Sequence, residues 1–413
     1  MLLENILDIK SYIYSERYVN KFKKVANEVT ERYCAINGKD SYYLPEILLK
    51  KDDVDIFLAS PKKSTYDDIF SKVSFDNLDE VKFYIHPDMI QDIMSNNEIE
   101  SLNNLKYKLL VEPTSSTRTV FPYEKNYFIK LHLNKRLSKY IRRLSPSSVE
   151  HSINISNALE SCIDTCPETF GFLAESIGIV SKELNYGMII REQIPRPIIN
   201  KKIINMTEKE DNKNENDERY YLPLFSLYSK DLKHPEDKTL FSQIVDTNHI
   251  TPLELFMEKY LRPLFIGMNY CINNQGILLE PHGQNVLVEI DNNYNITRLI
   301  HRDFQSIYVN NDIRKRNGLK TPFKKHIMDI ECPSEVSYSL VYDHFIGRYV
   351  FDEFLELLEK EHNISKKYMK RVIKSEFNNY FDKTLFPKNA YFMDKKTFNN
   401  NETVFVEDKA VYR

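Results

Sequence analysis

Two short polar islands, Glu280-Pro-His-Gly-Gln-Asn285 and Arg302-Asp-Phe304, interrupt a stretch of chain that otherwise reads as strand, and they constrain the fold more than any other feature. Ile277-Leu-Leu279 leads into the first island, and Val286-Leu-Val-Glu-Ile290 leaves it with β-branched residues. Asp291-Asn-Asn-Tyr-Asn295 reads as a turn and Ile296-Thr-Arg-Leu-Ile300 as the returning strand. A hairpin folded about Asn293 makes Asp303 a cross-strand neighbour of Gly283 and gathers His282, Asn285 and Asp303 at one end. Asn and His can donate or ligate there, while Glu280 and Asp303 can hold a hard cation such as Mg²⁺ through oxygen. The same residues also suit a plain polar hairpin end with an Asx turn and a paired histidine.

The chain has 413 residues, 42% of them hydrophobic, enough for two or three domains with cores of their own. Lys and Arg total 57 against 60 Asp and Glu, so there is no basic surplus of the kind that tracks nucleic-acid phosphates. Cys34, Cys162, Cys166, Cys271 and Cys332 are odd in number and lack metal-ligand spacing beyond Cys162 and Cys166, which points to reduced thiols. The N-terminal residues carry no basic segment followed by an apolar run, and no apolar stretch approaches the roughly 18 residues a membrane helix needs. A soluble, cytoplasmic protein is expected. The nine glycines are dispersed, so there is neither a Walker loop nor a dinucleotide fingerprint, and any nucleotide must be held by side chains.

Along the chain, residues from Ile6 to about Tyr33 have helical spacing, as in Val19, Phe22, Val25, Ala26 and Val29. Strands are expected at Lys82 to Pro87, Lys106 to Val111, Tyr127 to Leu133 and Gly187 to Arg191. Helices are expected over Lys135 to Leu144, ended by Ser145-Pro146, over Ile155 to Ile177, over Leu253 to Tyr270, and within Tyr338 to Lys374. Thr207 to Arg219 is almost all charged or amide residues and reads as a surface loop or disordered insert and as the best boundary. Strands and helices are interspersed without regular βαβ alternation, so the fold class is α+β (mixed α/β). Two lobes with a cleft would suit a nucleotide enzyme.

Lys130 sits mid-strand, unusual for lysine unless it meets an anion. His-Gly-x-Asn followed by Asp-Phe is similar to the core of kinase-like phosphotransferases, in which an Asp beside His-Gly accepts the proton of the attacking hydroxyl. Gln284 stands in that neighbourhood, and an amide cannot act as a general base. A carboxylate substrate needs no base, because it is already ionised at neutral pH and can attack the α-phosphorus of ATP directly. That reaction asks for positive charge around the phosphates and a metal for the leaving pyrophosphate. Arg118, Lys130 and Arg142 are the candidate cations, with hydroxyls at Ser115, Ser116 and Thr117.

Pro113-Thr-Ser-Ser-Thr-Arg-Thr119, Lys130, Arg142, Glu280-Pro-His-Gly-Gln-Asn285 and Arg302-Asp-Phe304 together resemble the ATP-site motifs of the NRPS-independent siderophore (NIS) synthetases of the IucA/IucC type. Ile85-His-Pro87, Ser145-Pro-Ser-Ser-Val149 and Met188-Ile-Ile-Arg-Glu192 extend the likeness from about Phe83 past Tyr308. The resemblance implies a cupped-hand fold, with a helical N-terminal region over residues 1–80 as a reduced thumb or its replacement, fingers over 81–225 and a palm over 226–413. It implies that Ser115, Ser116, Thr117, Arg118, Lys130 and Arg142 grip the phosphates of ATP, that His282, Gln284, Asn285 and Asp303 complete the nucleotide site, and that Glu280 and Asp303 bind Mg²⁺. Arg118, Lys130, Arg142 and His282 would be catalytic. The implied reaction is adenylation of a carboxylic acid, citrate or a derivative, followed by attack of an amine or hydroxyl to give an amide or ester, with AMP and pyrophosphate released. The implied partners are those small molecules and a second copy in a homodimer, without nucleic acid or membrane.

The family's N-terminal His-Pro-x-His-Pro-x-x-Lys pattern is absent; His86-Pro87 is followed by Asp88-Met89 rather than Trp-Gln, and members are longer on the N-terminal side. That departure leaves open a shortened, inactive homologue or one piece of a split synthetase that binds ATP and needs a partner. His132, on the Lys130 side of its strand, either borders the nucleotide or packs structurally, and His301 is expected to be structural. The abundant Tyr and Phe are expected to line core and cleft.

Overall fold

The computed structural model describes residues 1–413 apart from 2, 9, 20–27, 36–40, 60–62, 71–78, 96–104, 123, 138–139, 200–201, 204–217, 324–333 and 394–404. Cys332, residues 207–217 of the expected surface loop and part of the expected first helical region therefore lie outside the described residues. The fold is mixed α/β, built on two sheets. The larger has eight antiparallel strands in the order Val54–Leu58, Glu175–Ser181, Tyr186–Glu192, Tyr127–Lys130, Thr119–Phe121, Lys106–Pro113, Tyr42–Lys50, Glu80–Tyr84. The smaller is mixed, in the order Lys202–Ile203, Glu218–Pro223, Val286–Asp291, Ile296–His301, Phe170–Phe172.

The helix Pro146–Glu160 covers one face of the large sheet. Ser145 caps it by accepting the Ser148 N–H at 3.3 Å, and Pro146 takes the first helical position, where a missing N–H costs nothing. Val149 and Ile153 on its inner side are buried, a contribution of roughly 1.5–3 kcal/mol each. The approach depends on Gly178, where a Cβ would fall 2.4 Å from Val149 Cγ1. The small sheet packs against the long helical run from Pro252 to Gln275 and against the helices spanning Leu340–Phe351, Asp352–His362 and Lys366–Tyr380, which share one large apolar core. Among the described residues no helix is long and apolar enough to cross a membrane.

Several expected elements differ. Lys135 to Leu144 is not a helix: Leu133–Leu137 and Tyr140–Arg142 pair as a hairpin, and Ser145-Pro146 starts the next helix rather than ending one, since a Ser-Pro pair serves equally as a stop and as an N-terminal cap. The expected helix over Ile155 to Ile177 ends at Glu160, and Phe170–Phe172 and Glu175–Ser181 are strands. Every residue of Glu175–Ser181 is buried, so the alternation that marks a strand is missing from its sequence. Residues 1–80 are not simply helical either, because Tyr42–Lys50 and Val54–Leu58 are integral to the large sheet.

The division at 80 and 225 does not follow the sheets. Phe170–Phe172 and Glu218–Pro223 belong to the small sheet, and the chain passes between sheets within three residues, from Phe172 to Glu175. The helix Ser11–Tyr18 is wedged into the same junction. Its Tyr12 and Ile13 share a core with Phe121 and Phe128 of the large sheet and Tyr221, Leu287 and Ile300 of the small one.

Candidate active site

The site forms where the two sheets meet. Between the strands Lys106–Pro113 and Thr119–Phe121 the chain makes a tight turn, with Thr114 N donating to Thr119 O at 3.0 Å and Thr117 N to Thr114 O at 2.8 Å. Thr117 takes a left-handed conformation, φ 63°. The Ser116 hydroxyl is turned back into this structure, accepting from Thr119 N at 3.2 Å and facing Thr114 Oγ1 at 3.2 Å. Ser115 instead faces the small sheet, its Oγ accepting from Gln284 Nε2 at 2.9 Å.

Lys130 pairs in register with Thr119 on one side and Ile189 on the other, so its side chain shares a face with Arg191, two residues along the neighbouring strand. Both reach Glu175, Lys130 Nζ at 3.2 Å and Arg191 Nη2 at 2.7 Å, and both lie against Asp303, Lys130 in direct contact and Arg191 at 3.9 Å. Lys130 and Glu175 have no exposed side-chain surface, whereas Asp303 keeps 29%. Burial opposes the charge of Asp303, but Lys130 first, then Arg191 and Arg118, hold its carboxyl far below the usual range. Burial likewise opposes the Glu175 charge, and Lys130 and Arg191 overcome it. In Lys130 burial prevails over its two carboxylates, and the ammonium binds its proton less tightly than usual.

Arg118 is 4% exposed. Its Nη1 donates to the Arg142 carbonyl at 3.1 Å and its Nη2 to Gln305 Oε1 at 2.6 Å. Burial lowers its pKa to about 10, which still leaves a cation at neutral pH. The Arg142 charge is felt by Arg118, Glu280 and His282, so this hairpin residue belongs to the same seam.

On the small sheet, the expected hairpin is present with its register moved by one residue. Pairing runs Glu289↔Arg298 and Val286↔His301, with a bulge between Glu289 and Ile290, and Arg302 N donates to Asn285 O at 2.9 Å. In this register Asp303 falls opposite Gln284 rather than Gly283, one position nearer the turn, because the bulge adds a residue to the returning strand only. Asp303 adopts φ 71°, a left-handed conformation that Asp tolerates better than most residues. His282 Nδ1 accepts from Gln284 N at 3.2 Å, so the neutral ring carries its proton on Nε2. Burial pushes its pKa down to about 4, and at neutral pH the imidazole is an uncharged donor.

Glu280 shows the opposite effect: burial, then the charge of Asp303, lift its carboxyl to about 8. A carboxyl whose ionisation is opposed by a neighbouring carboxylate fits a site for a divalent cation. Among the described residues no three His, Cys, Asp or Glu side chains are grouped to hold a metal. A pair of carboxylates is enough for Mg²⁺ when substrate phosphates and water supply the remaining ligands.

His132 is structural, its Nδ1 accepting from Leu144 N at 3.1 Å and its ring stacked 3.9 Å from Tyr186. His301 is buried and stacked on Phe170. Sequence reasoning missed Tyr12, Glu16, Glu175 and Gln305. A signal existed for Glu175, a lone charge in an apolar run, because a charge buried there must be paired.

Three comparisons bear on what this arrangement is. Residues 81–208 match the IucA / IucC family, and residues 254–404 match the ferric iron reductase FhuF-like transporter family. The L-2,3-diaminopropanoate–citrate ligase of Staphylococcus aureus is 29% identical over 196 residues, which cover 44% of this chain and 30% of the relative's length. The fold is similar to that of the petrobactin biosynthesis protein AsbB from Bacillus anthracis, with TM-score 0.70 and 15% identity, over 97% of this chain and 75% of that one. It is also similar to ATP-bound aerobactin synthetase IucA from Klebsiella pneumoniae, with TM-score 0.64 and 14% identity, over 94% and 73% of the two chains.

Proposed function

We propose that this chain, which matches the IucA / IucC family over residues 81–208, is an ATP-dependent ligase that adenylates a citrate-like carboxylic acid and condenses it with an amine or hydroxyl. The observation that carries the reading is the meeting of Arg118, Lys130 and Arg142 from the large-sheet side with Glu280, His282, Gln284 and Asp303 from the small-sheet side in one seam. The relative from Staphylococcus aureus is named as a citrate ligase and one structural relative as ATP-bound, which supports the choice of acid and nucleotide.

In this reading Arg118, Lys130 and Arg142 bind the phosphate oxygens, with Ser115 and Thr117 beside them. Arg118 and Lys130 are preorganised by hydrogen bonds to carbonyls and carboxylates respectively, so little reorganisation is needed as charge builds on the leaving group. His282, neutral and protonated on Nε2, donates to an oxygen of the nucleotide or of the acid. Asn285 and Gln284 hold the opposite wall, Gln284 through its bond to Ser115. Mg²⁺ held by Glu280 and Asp303 would draw charge from the departing pyrophosphate. We place the reaction in the cytoplasm, where ATP is supplied.

The test is exchange of labelled pyrophosphate into ATP by the purified chain, with citrate and related di- and tricarboxylic acids. Acid-dependent exchange supports the ligase. ATP binding without exchange moves the reading to a homologue that needs a partner, and absence of ATP binding removes the nucleotide site.

A further inference from the structure

Resting on the reading of the seam as an ATP site, we infer that Glu16 is a positioning residue of that site, acting through the phosphate-gripping turn and Arg302. Glu16 lies on the helix Ser11–Tyr18, distant in sequence from every motif residue, and its side chain has no exposed surface. Its Oε2 accepts the backbone N–H of Ser115 at 3.1 Å, and its Oε1 accepts from Arg302 Nη2 at 2.7 Å and from the Tyr12 hydroxyl at 2.8 Å. Arg302 closes the circuit: its Nε donates to the Gln284 carbonyl at 2.9 Å, and the Gln284 amide returns to Ser115 Oγ at 2.9 Å. One carboxylate thus ties the turn of the large sheet, the hairpin island of the small sheet and the wedge helix into a ring of hydrogen bonds.

Such a buried ring has a cost that only complete satisfaction offsets, since an ionised carboxylate without partners would not remain buried. Burial opposes the Glu16 charge, but Arg302 holds its carboxyl below the ordinary pKa, and Glu16 in turn raises the affinity of Arg302 for its proton. Glu16 is therefore a fixed anion, one atom of which holds Ser115 while the other neutralises Arg302. Ser115 and Arg118 belong to one short turn, so a shift of the Ser115 amide is passed to the residues that meet the phosphates. A turn released from Glu16 must be ordered again when ATP binds, and that cost appears as weaker ATP binding.

Two substitutions separate the two duties. Glu16→Asp keeps the charge beside Arg302 and retracts the carboxylate by about 1.5 Å, one carbon–carbon bond, so that it cannot span both partners. Glu16→Gln keeps the length and removes the charge. For Glu16→Asp we expect amide hydrogen exchange in residues 114–118 to quicken about tenfold and the Kd and KM for ATP to rise about tenfold. The change in kcat should be smaller, and the thermal midpoint should fall less than in Glu16→Gln. Glu16→Gln should lose both ATP affinity and thermal stability.

Unchanged exchange and unchanged ATP affinity in Glu16→Asp overturn the inference. A loss of stability and kcat in Glu16→Asp with KM for ATP unmoved also overturns it, because that is what a purely structural residue does. If the unsubstituted chain itself binds no ATP, the proposed function falls and this inference with it; equal ATP binding by the unsubstituted chain and Glu16→Asp removes only the role of Glu16.

Discussion

The hairpin of the small sheet carries a buried ionic cluster at each end, and the two are built differently. At the turn end, Glu289 is 2% exposed and accepts from the Tyr221 hydroxyl and Arg298 Nε at 2.7 Å each and from Thr297 Oγ1 at 2.5 Å, with Arg219 at 3.8 Å. All those partners come from the same sheet, and the cluster is closed. At the other end Asp303 meets Lys130 and Arg191 of the other sheet, shares them with Glu175, and keeps part of its surface open beside Glu280. A closed cluster fixes strand order; an open one that spans two sheets has room for incoming phosphate oxygens or a cation to take a place among its charges.

The comparison can be broken by substitution. Lys130→Met should have the largest effect, lowering acid-dependent pyrophosphate exchange by about 10²–10³-fold, the scale for losing one preorganised charge stabiliser. Retained exchange would take Lys130 out of the chemistry and make the open cluster structural. Glu289→Ala should destabilise the chain by about 3–5 kcal/mol in urea unfolding, because Arg298 is left buried and unpaired, while the ATP Kd of the folded protein stays the same. An altered ATP Kd there with normal stability would erase the distinction between the two ends. Tyr221→Phe, which removes one hydrogen bond to the Glu289 carboxylate, should cost about 1.5–3 kcal/mol by the same unfolding measurement.

The last test is one of pH, and near neutrality its effect vanishes. His132 has a folded-state pKa of about 4, pushed down from 6.5 by burial, so the native ring is neutral while the unfolded ring takes up a proton below 6.5. Its contribution is complete above pH 6.5 and is lost as pH falls toward 4, up to about 3 kcal/mol. Thermal midpoints measured from pH 7 to 4.5 should fall less steeply in His132→Asn, whose amide oxygen can still accept from Leu144 N.

The long helices near the C-terminus were legible from their period, as in the apolar face of Leu253 to Tyr270, and the hairpin from β-branched runs on either side of an Asp-Asn turn, although its strands are buried almost throughout. Glu175–Ser181 was not, since a strand buried on both faces has no period to read. Motif residues such as Arg118 and Lys130 stood out as cations beside hydroxyls or inside a strand. Glu16 did not: an acidic residue on a short helix of mixed character looks like any solvated charge until the helix is seen wedged between the sheets.

The sequence by itself determined the local chemistry: a hairpin with polar ends, a turn of Ser, Thr and Arg, a lysine in a strand, and an amide where a phosphotransferase would place its base. Tertiary structure decided which of these meet. The passage from Phe172 to Glu175 between sheets brings Lys130 to Asp303, a bulge sets the register of Arg302 and Asp303, and a helix some hundred residues before the turn supplies the carboxylate that holds it. The reason is that short-range pattern reports only the burial and turns of neighbouring residues, whereas buried charges find their partners by the geometry of the whole chain.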